Sequence, residues 1–359
     1  MSRCRWLVFA MRLRRFVLLV VAAIITAASA GAFAADPRTR SFTDAAGRTV
    51  TIPAHLERVF AAGRPAAITL FTIAPDKLLG WPQAFRDEEK AFLPERYAEL
   101  PVLGGLFGRA KTNDLEVLVA AKPDLIVDIG GVDLTHISAA ERIEAQTHIP
   151  YVVLDGSFEN TAQLYERLGE LLDEPAKAAE LAAFARRTFE EMRAIGARVP
   201  ADHPIRVYYA RGPNGLETAL AGSLNTEMLA YVGAINVASD PNRNGLATVS
   251  REQILAWNPE VVITLNDKFY RAIWTDPVWE SVAAVREKRV YLAPSLPFGW
   301  FDLPASVNRL IGEHWLAAVL HPESGAARTL RDTTREFYRD FYHVSLSEAQ
   351  LDELLPPPR

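Results

Sequence analysis

The chain has 359 residues, 39 of them Lys or Arg and 44 Asp or Glu, with a single cysteine, Cys4. Arg3, Arg5, Arg12, Arg14 and Arg15 all precede the first acid, Asp36, so the remainder carries 34 basic against 44 acidic residues, a net charge of −10. That balance excludes nucleic acid as a partner, since a phosphate backbone is held by an excess of cations, and the position of Cys4 leaves the rest of the chain without a disulfide, a thiol nucleophile or a thiolate metal site.

In chain order, the first element is an export signal over residues 1–34. Arginines lead into an apolar run from Phe16 to Ala28, and Ala32-Phe33-Ala34 supplies small residues for cleavage near Ala34. The apolar run is shorter than the roughly 20 residues of a membrane span. Met11 to Ala34 makes a complete signal by itself. Arg14-Arg15-Phe16-Val17-Leu18 resembles a twin-arginine signal, but adjacent arginines are common in such segments, and the general secretory route is favoured. No cysteine follows the cleavage site, which excludes a lipid anchor, and the expected location is the periplasm.

Two strands, Ser41–Asp44 and Thr49–Ile52, flank the turn at Gly47-Arg48. Arg58–Phe60 reads as a buried strand, Ala66–Ile73 as a helix and Leu78–Trp81 as a short strand. Leu115–Ala121 has helical spacing and stops at Pro123; Leu125–Asp128 is an apolar strand, Ala139–Thr147 a helix and Tyr151–Leu154 a strand. Thr161–Leu172 is one helix, and Pro175 opens another that runs to Val199, since proline suits a first helical turn. Its apolar positions Leu181, Phe184, Met192 and Ile195 recur at helical spacing. Strand Ile205–Tyr209, helix Ser223–Val232, helix Ser250–Ala256, strand Val261–Leu265, helix Val278–Ala283 and strand Arg289–Leu292 follow. Helices Pro304–Leu320, Gly325–Tyr342 and Ser347–Leu355 close the chain. Strands that alternate with helices imply parallel sheets covered on both faces.

Asp114–Val127 and Val249–Ile263 repeat one plan: a helix, a Pro-acid turn (Pro123-Asp124, Pro259-Glu260), then a buried strand. The echo implies two similar lobes. The expected α/β organisation is an N-terminal lobe over 36–158, a connector over 159–200 containing the long helix 175–199, and a C-terminal lobe over 201–359.

Phe42-Thr43-Asp44-Ala45-Ala46-Gly47-Arg48-Thr49-Val50-Thr51-Ile52-Pro53, then Arg58-Val59, together with the two helix-turn-strand units, resembles the periplasmic binding proteins of ABC importers for ferric siderophores, haem and cobalamin. The resemblance covers nearly all the chain beyond the signal. It implies two Rossmann-like lobes joined by a single long α-helix, a ligand cleft between them and small hinge motions. It further implies a monomer that delivers cargo to a permease dimer with ATPase subunits, docking through Glu116 and Glu227.

Ligands of α/β lobes sit beyond the carboxyl ends of the strands. The candidates there are Arg64, Trp81, Arg109, Tyr209, Arg211, Glu217, Phe298 and Trp300. Arginine reads carboxylates and oxyanions by charge-assisted hydrogen bonds, and aromatic faces suit a flat ligand. Tyr209 is a candidate iron ligand or ligand contact. The seven histidines form no close pair, so a metal is expected to arrive inside a chelate, with no resident cofactor. The expected cargo is an anionic iron complex; a molybdate- or tungstate-type oxyanion, haem and cobalamin are the alternatives. A small-molecule α/β enzyme is the rival class. Against it, the sequence has no Gly-x-Ser-x-Gly elbow, Walker A loop or His-Glu-x-x-His motif.

Overall fold

Val59-Phe60-Ala61, Leu125–Gly130 and Tyr151–Asp155 are apolar runs too continuous for a half-wet sheet, a pattern that fits strands covered on both faces. The computed structural model describes residues 38–106 and 115–356, so the export signal and Arg109 lie outside the described residues. After β1 (Thr39–Thr43) and β2 (Thr49–Pro53), which form a two-stranded sheet, the three apolar runs become β3 (Val59–Ala61), β4 (Leu125–Gly130) and β5 (Tyr151–Asp155). All three are parallel, in the order β3-β4-β5, with Val59 opposite Leu125 and Ile126 opposite Tyr151. Helix α1 (Arg64–Ile73) follows β3, α2 (Leu115–Ala120) precedes β4, and α3 (Leu134–Thr147) carries the chain from β4 to β5.

Helices α4 (Thr161–Leu172) and α5 (Pro175–Gly196) connect this sheet to the second. At about 1.5 Å per residue, α5 spans roughly 33 Å. It buries Leu181, Phe184, Ala185, Thr188, Phe189 and Met192, a stripe at three- and four-residue spacing. The second sheet uses β6 (Ile205–Ala210), β8 (Ala234–Asn236), β10 (Val261–Thr264) and β11 (Val290–Leu292), all parallel in the order β11-β10-β6-β8. Strands β7 (Glu217–Ala219) and β9 (Leu246–Thr248) pair antiparallel beside it. Helices α6 (Arg251–Trp257), α7 (Arg309–Leu320), α8 (Ala326–Phe341) and α9 (Glu348–Leu354) complete the chain.

The repeat seen in the sequence is structural. Both α2 and α6 end just before a proline, and the residues ahead of it, Lys122 (φ 47°) and Asn258 (φ 41°), turn left-handed to direct the chain into β4 and β10. From Ser41 onward the chain packs as one compact unit. Its main core is continuous across both lobes, taking in Phe71 and Leu168, Phe184, Phe301 and Phe341, while two smaller clusters cover the outer faces of the sheets. Among the described residues no helix is long and apolar enough to cross a membrane.

Several elements differ from the sequence reading. Helix α5 ends at Gly196, not Val199: beyond it Arg198 N and Val199 N bond to the Ile195 and Gly196 carbonyls, three residues back, and Gly196 itself lies where a Cβ would meet the Tyr231 carbonyl at 2.4 Å. Leu78–Trp81 forms only isolated bridges. Ser223–Val232 yields a short tight helix over Glu227–Val232, and Val278–Ala283 breaks into two turns because Val282 is extended. Helix α7 begins at Arg309 rather than Pro304. Leu303 takes a left-handed φ of 68°, and Asn308 Nδ2 donates to the carbonyls of Gly299 and Pro304, which folds residues 297–308 into a loop.

Candidate interlobe site

The carboxyl ends of the strands in both sheets converge on this loop. From the C-terminal lobe it reaches the segment that follows β3. Ser306 Oγ donates to the Pro65 carbonyl at 3.2 Å and lies 3.3 Å from Thr69 Oγ1, while Arg64 Nη2 donates to the Leu303 carbonyl at 3.3 Å. These contacts stitch the lobes along a seam. Within it is a cavity of about 60 Å³, bounded by Thr69, Gly130, Gly156, Thr161, Ser306 and Arg309. Gly156 is required by close approach: a Cβ there would meet the Gly130 backbone at 2.9 Å.

Arg309 is the charged residue of this cavity, and the sequence reading missed it. Its side chain is buried. Nε donates to the Ser306 carbonyl at 3.2 Å, Nη1 donates to the Leu224 carbonyl, and the guanidinium lies 4.6 Å from the centre of the Phe158 ring. Glu227 Oε2 sits 3.4 Å from Nη1. Burial lowers the Arg309 pKa, opposed by Glu227 and then Asp302; a guanidinium starts so high that it remains a cation. One turn along α7, Glu313 is buried with both carboxyl oxygens lacking a hydrogen-bond partner among the described residues. Burial pushes its pKa well above the usual carboxylate range, which favours the neutral acid.

A second polar cluster sits at the end of β6. Asp302, fully buried, accepts from Tyr209 Oη at 3.1 Å and from Asn225 Nδ2 at 2.8 Å. Arg211 Nη1 lies 3.4 Å from Asp302 Oδ2, buried and without a well-formed hydrogen bond. The structure thus brings Tyr209 and Arg211 together around Asp302. Glu217 is exposed on β7; its carbonyl accepts from Arg211 N at 2.7 Å and its side chain lies over Gly212.

The aromatic expectations fare differently. Trp81 and Phe298 meet across the seam at 6.0 Å between ring centres, each also packing on Phe85. The gap they leave beside Arg64 is about 10 Å³, at or below the room one water needs. They seal the lobes rather than offer an open stacking platform. Trp300 is fully buried, its Nε1 donating to Tyr338 Oη at 3.2 Å, and it faces the core formed by α8. It was misassigned because a residue after a strand can turn inward as readily as outward. Glu116 is exposed on α2. Glu227 is only 29% exposed and accepts from Phe158 N at 3.0 Å as well as facing Arg309, so its carboxylate already ties the segment after β5 to the C-terminal lobe. The signal that could have found Arg309 is a cation between the apolar residues Val307 and Leu310-Ile311. No group of three or more His, Cys, Asp or Glu side chains among the described residues is placed to hold a metal ion.

Two parallel α/β lobes, braced by one long helix and closed over a small cavity that holds a buried cation, define a solute-binding protein. Residues 73–296 match the periplasmic binding protein family, and the chain belongs to it. It is similar to the molybdate-binding protein MolA of Haemophilus influenzae, 27% identical over 91% of this chain and 96% of that one. The vitamin B12-binding protein of Salmonella choleraesuis is 29% identical over 61% of this chain and 72% of its own length. Among solved structures, an ABC transporter solute binding protein from Sulfurospirillum deleyianum is 31% identical with a TM-score of 0.80, covering 88% of this chain and 99% of that one. MolA bound to molybdate shares the fold, at TM-score 0.70 and 24% identity over 86% and 99% of the two chains. The family and these relatives are solute-binding proteins of transport, not enzymes.

Proposed function

We propose that the chain is the periplasmic substrate-binding component of an ABC importer and that its cargo is a small oxyanion of the molybdate or tungstate kind. The observation that carries the cargo is the cavity itself: about 60 Å³, with one buried guanidinium and the hydroxyls of Thr69, Thr161 and Ser306 set among apolar walls from Ile129, Leu164, Leu224 and Val307. Pockets for drug-sized ligands run to about 300–1,000 Å³. An iron chelate, haem or cobalamin needs that larger space and therefore a seam opened by breaking the Arg64, Ser306 and Phe298 contacts. A tetrahedral oxyanion does not. It asks for a cation and several rotatable donors, and the hydroxyl hydrogens of Thr69 and Ser306 can swing from the Pro65 carbonyl toward a ligand oxygen. The similarity to MolA points to the same cargo class.

Calorimetric titration with molybdate, with ferric citrate, haemin and cyanocobalamin in parallel, tests this reading. One-to-one binding of molybdate and none of the others is expected. Thr69→Val and Ser306→Ala each remove one donor to an anion, worth about 1.5–3 kcal/mol, so each is expected to weaken molybdate binding roughly tenfold or more. Binding of a chelate in place of molybdate would reject the oxyanion. For delivery we assign permease docking to Glu116 on the N-terminal lobe; for Glu227 the same role costs its contacts with Phe158 and Arg309. On this reading the mature chain works in the periplasm and starts near Ala35.

A further inference from the structure

Away from the seam, a groove of about 540 Å³ runs between α5 and the α7–α8 pair. That volume is in the range of small-molecule sites, and none of its lining is shared with the interlobe cavity. Its floor is apolar: Phe184 and Met192 are buried, and Ile195 is partly so. His314 closes the floor, its Nε2 3.0 Å from Thr188 Oγ1. Burial brings the His314 pKa down to about 4, so the floor carries no charge there at neutral pH.

The rim is charged, and unevenly so: Glu191 lines it beside His314, its Oε2 3.7 Å from Nδ1, about two helical turns before Arg198. Phe184 packs on Phe341, and Arg187 Nη2 donates to Glu336 Oε1 at 2.7 Å. The residue numbers rise on α5 as they fall on α8, so the helices are antiparallel. Arg198, just past the end of α5, therefore falls opposite Arg328 in the first turn of α8. The other arginines nearby are spoken for: Arg186 pairs with Glu166, Arg331 and Arg335 with Glu348, and Arg339 with Asp340. Arg198 and Arg328 have no carboxylate partner among the described residues, in a chain that is acidic overall. The start of α8 brings the positive end of a 16-residue helix to the same place, its Ala326 N already donating to Ser324 Oγ at 3.1 Å. Thr329 and Ser324 also line the groove, their hydroxyls donating to the Ala326 and His321 carbonyls.

We propose that this groove is a second ligand site, for a small carboxylate with a hydrocarbon body, its head between Arg198 and Arg328 and its body along Phe184, Met192 and Ile195. An inorganic anion would use the rim and leave the floor empty; a neutral hydrocarbon would use the floor alone. The carboxylate uses both, and its body lies against the helix that braces the two lobes.

Calorimetric titration of the full mature chain with octanoate, acetate and inorganic phosphate tests the assignment. Octanoate is expected to bind one-to-one, at least tenfold tighter than acetate or phosphate. The double variant Arg198→Ala/Arg328→Ala is expected to weaken octanoate at least tenfold and leave molybdate binding unchanged. Ala194→Trp, at an exposed position lining the groove, fills it without disturbing the core and is expected to abolish octanoate binding with the melting temperature retained. Equal affinity for octanoate in all three proteins, no saturable octanoate binding, or phosphate binding as tightly as octanoate would each overturn the proposal, whatever molybdate does.

Discussion

Arg309 and His314 lie on α7, both buried, and burial lowers both pKa values. The outcome differs because their starting points differ. A guanidinium stays charged and must be held by Ser306, Leu224 and Glu227; an imidazole gives up its proton and is held by Thr188 at Nε2, with Glu191 Oε2 3.7 Å from Nδ1. This has a consequence for stability. An unfolded histidine titrates near 6.5, the folded His314 near 4. Between those values the unfolded chain binds a proton that the folded chain refuses, so stability is lost as pH falls through this window, by up to about 3 kcal/mol. Asp128 acts in the opposite sense. Burial raises its pKa to about 6, so the folded chain takes up a proton first and is favoured as pH falls. A comparison isolates the histidine: His314→Gln is expected to lose less stability than the parent chain between pH 7 and pH 4.5 in thermal melts. Equal losses would assign the acid sensitivity elsewhere.

At the scale of elements, α4 and α5 show where local preference and packing disagree. Gly169 sits inside α4, where alanine would be favoured by about 1 kcal/mol on helix propensity alone. A Cβ there would lie 2.4 Å from Ala178 Cβ on α5. Gly169→Ala is therefore expected to destabilise by about 1–3 kcal/mol, the cost of overpacking, as read from a denaturant midpoint; a gain in stability would show that α5 can retreat. The same contrast explains what the sequence could tell. Thr161–Leu172 was legible to the residue because its apolar stripe and its termini agree. The twin helix-turn-strand units were legible because Pro123 and Pro259 punctuate them. Residues 304–308 were read as helix because Val307, Leu310 and Ile311 keep helical spacing, yet tertiary contacts with Pro65 and Thr69 draw the segment into a loop. The site suffered in the same way. Arg64 and Arg211 follow strands and Tyr209 lies near the end of β6, places that the sequence marks, whereas Arg309, Asp302 and Ser306 belong to that misread segment and its flank.

For the whole molecule, the continuous core under both lobes and the stitched loop leave little room for wide opening, and a permease must recognise the outer surface of the closed body. That requirement separates the two carboxylates assigned to docking. Glu116 is exposed on a short helix of the N-terminal lobe, so a partner's cation can reach its carboxylate. Glu227 faces the buried Arg309 and accepts from Phe158 N, so its removal strands a buried cation and cuts a tie between lobes. Glu116→Ala is accordingly expected to leave molybdate affinity unchanged while slowing molybdate uptake in cells. Glu227→Ala is expected to cost about 3 kcal/mol of stability and to weaken molybdate binding in the purified protein, before any permease is involved. Normal uptake with Glu116→Ala would remove the docking role. A fully stable Glu227→Ala would show that Arg309 is held by its backbone carbonyls alone, leaving Glu227 available to a partner after all.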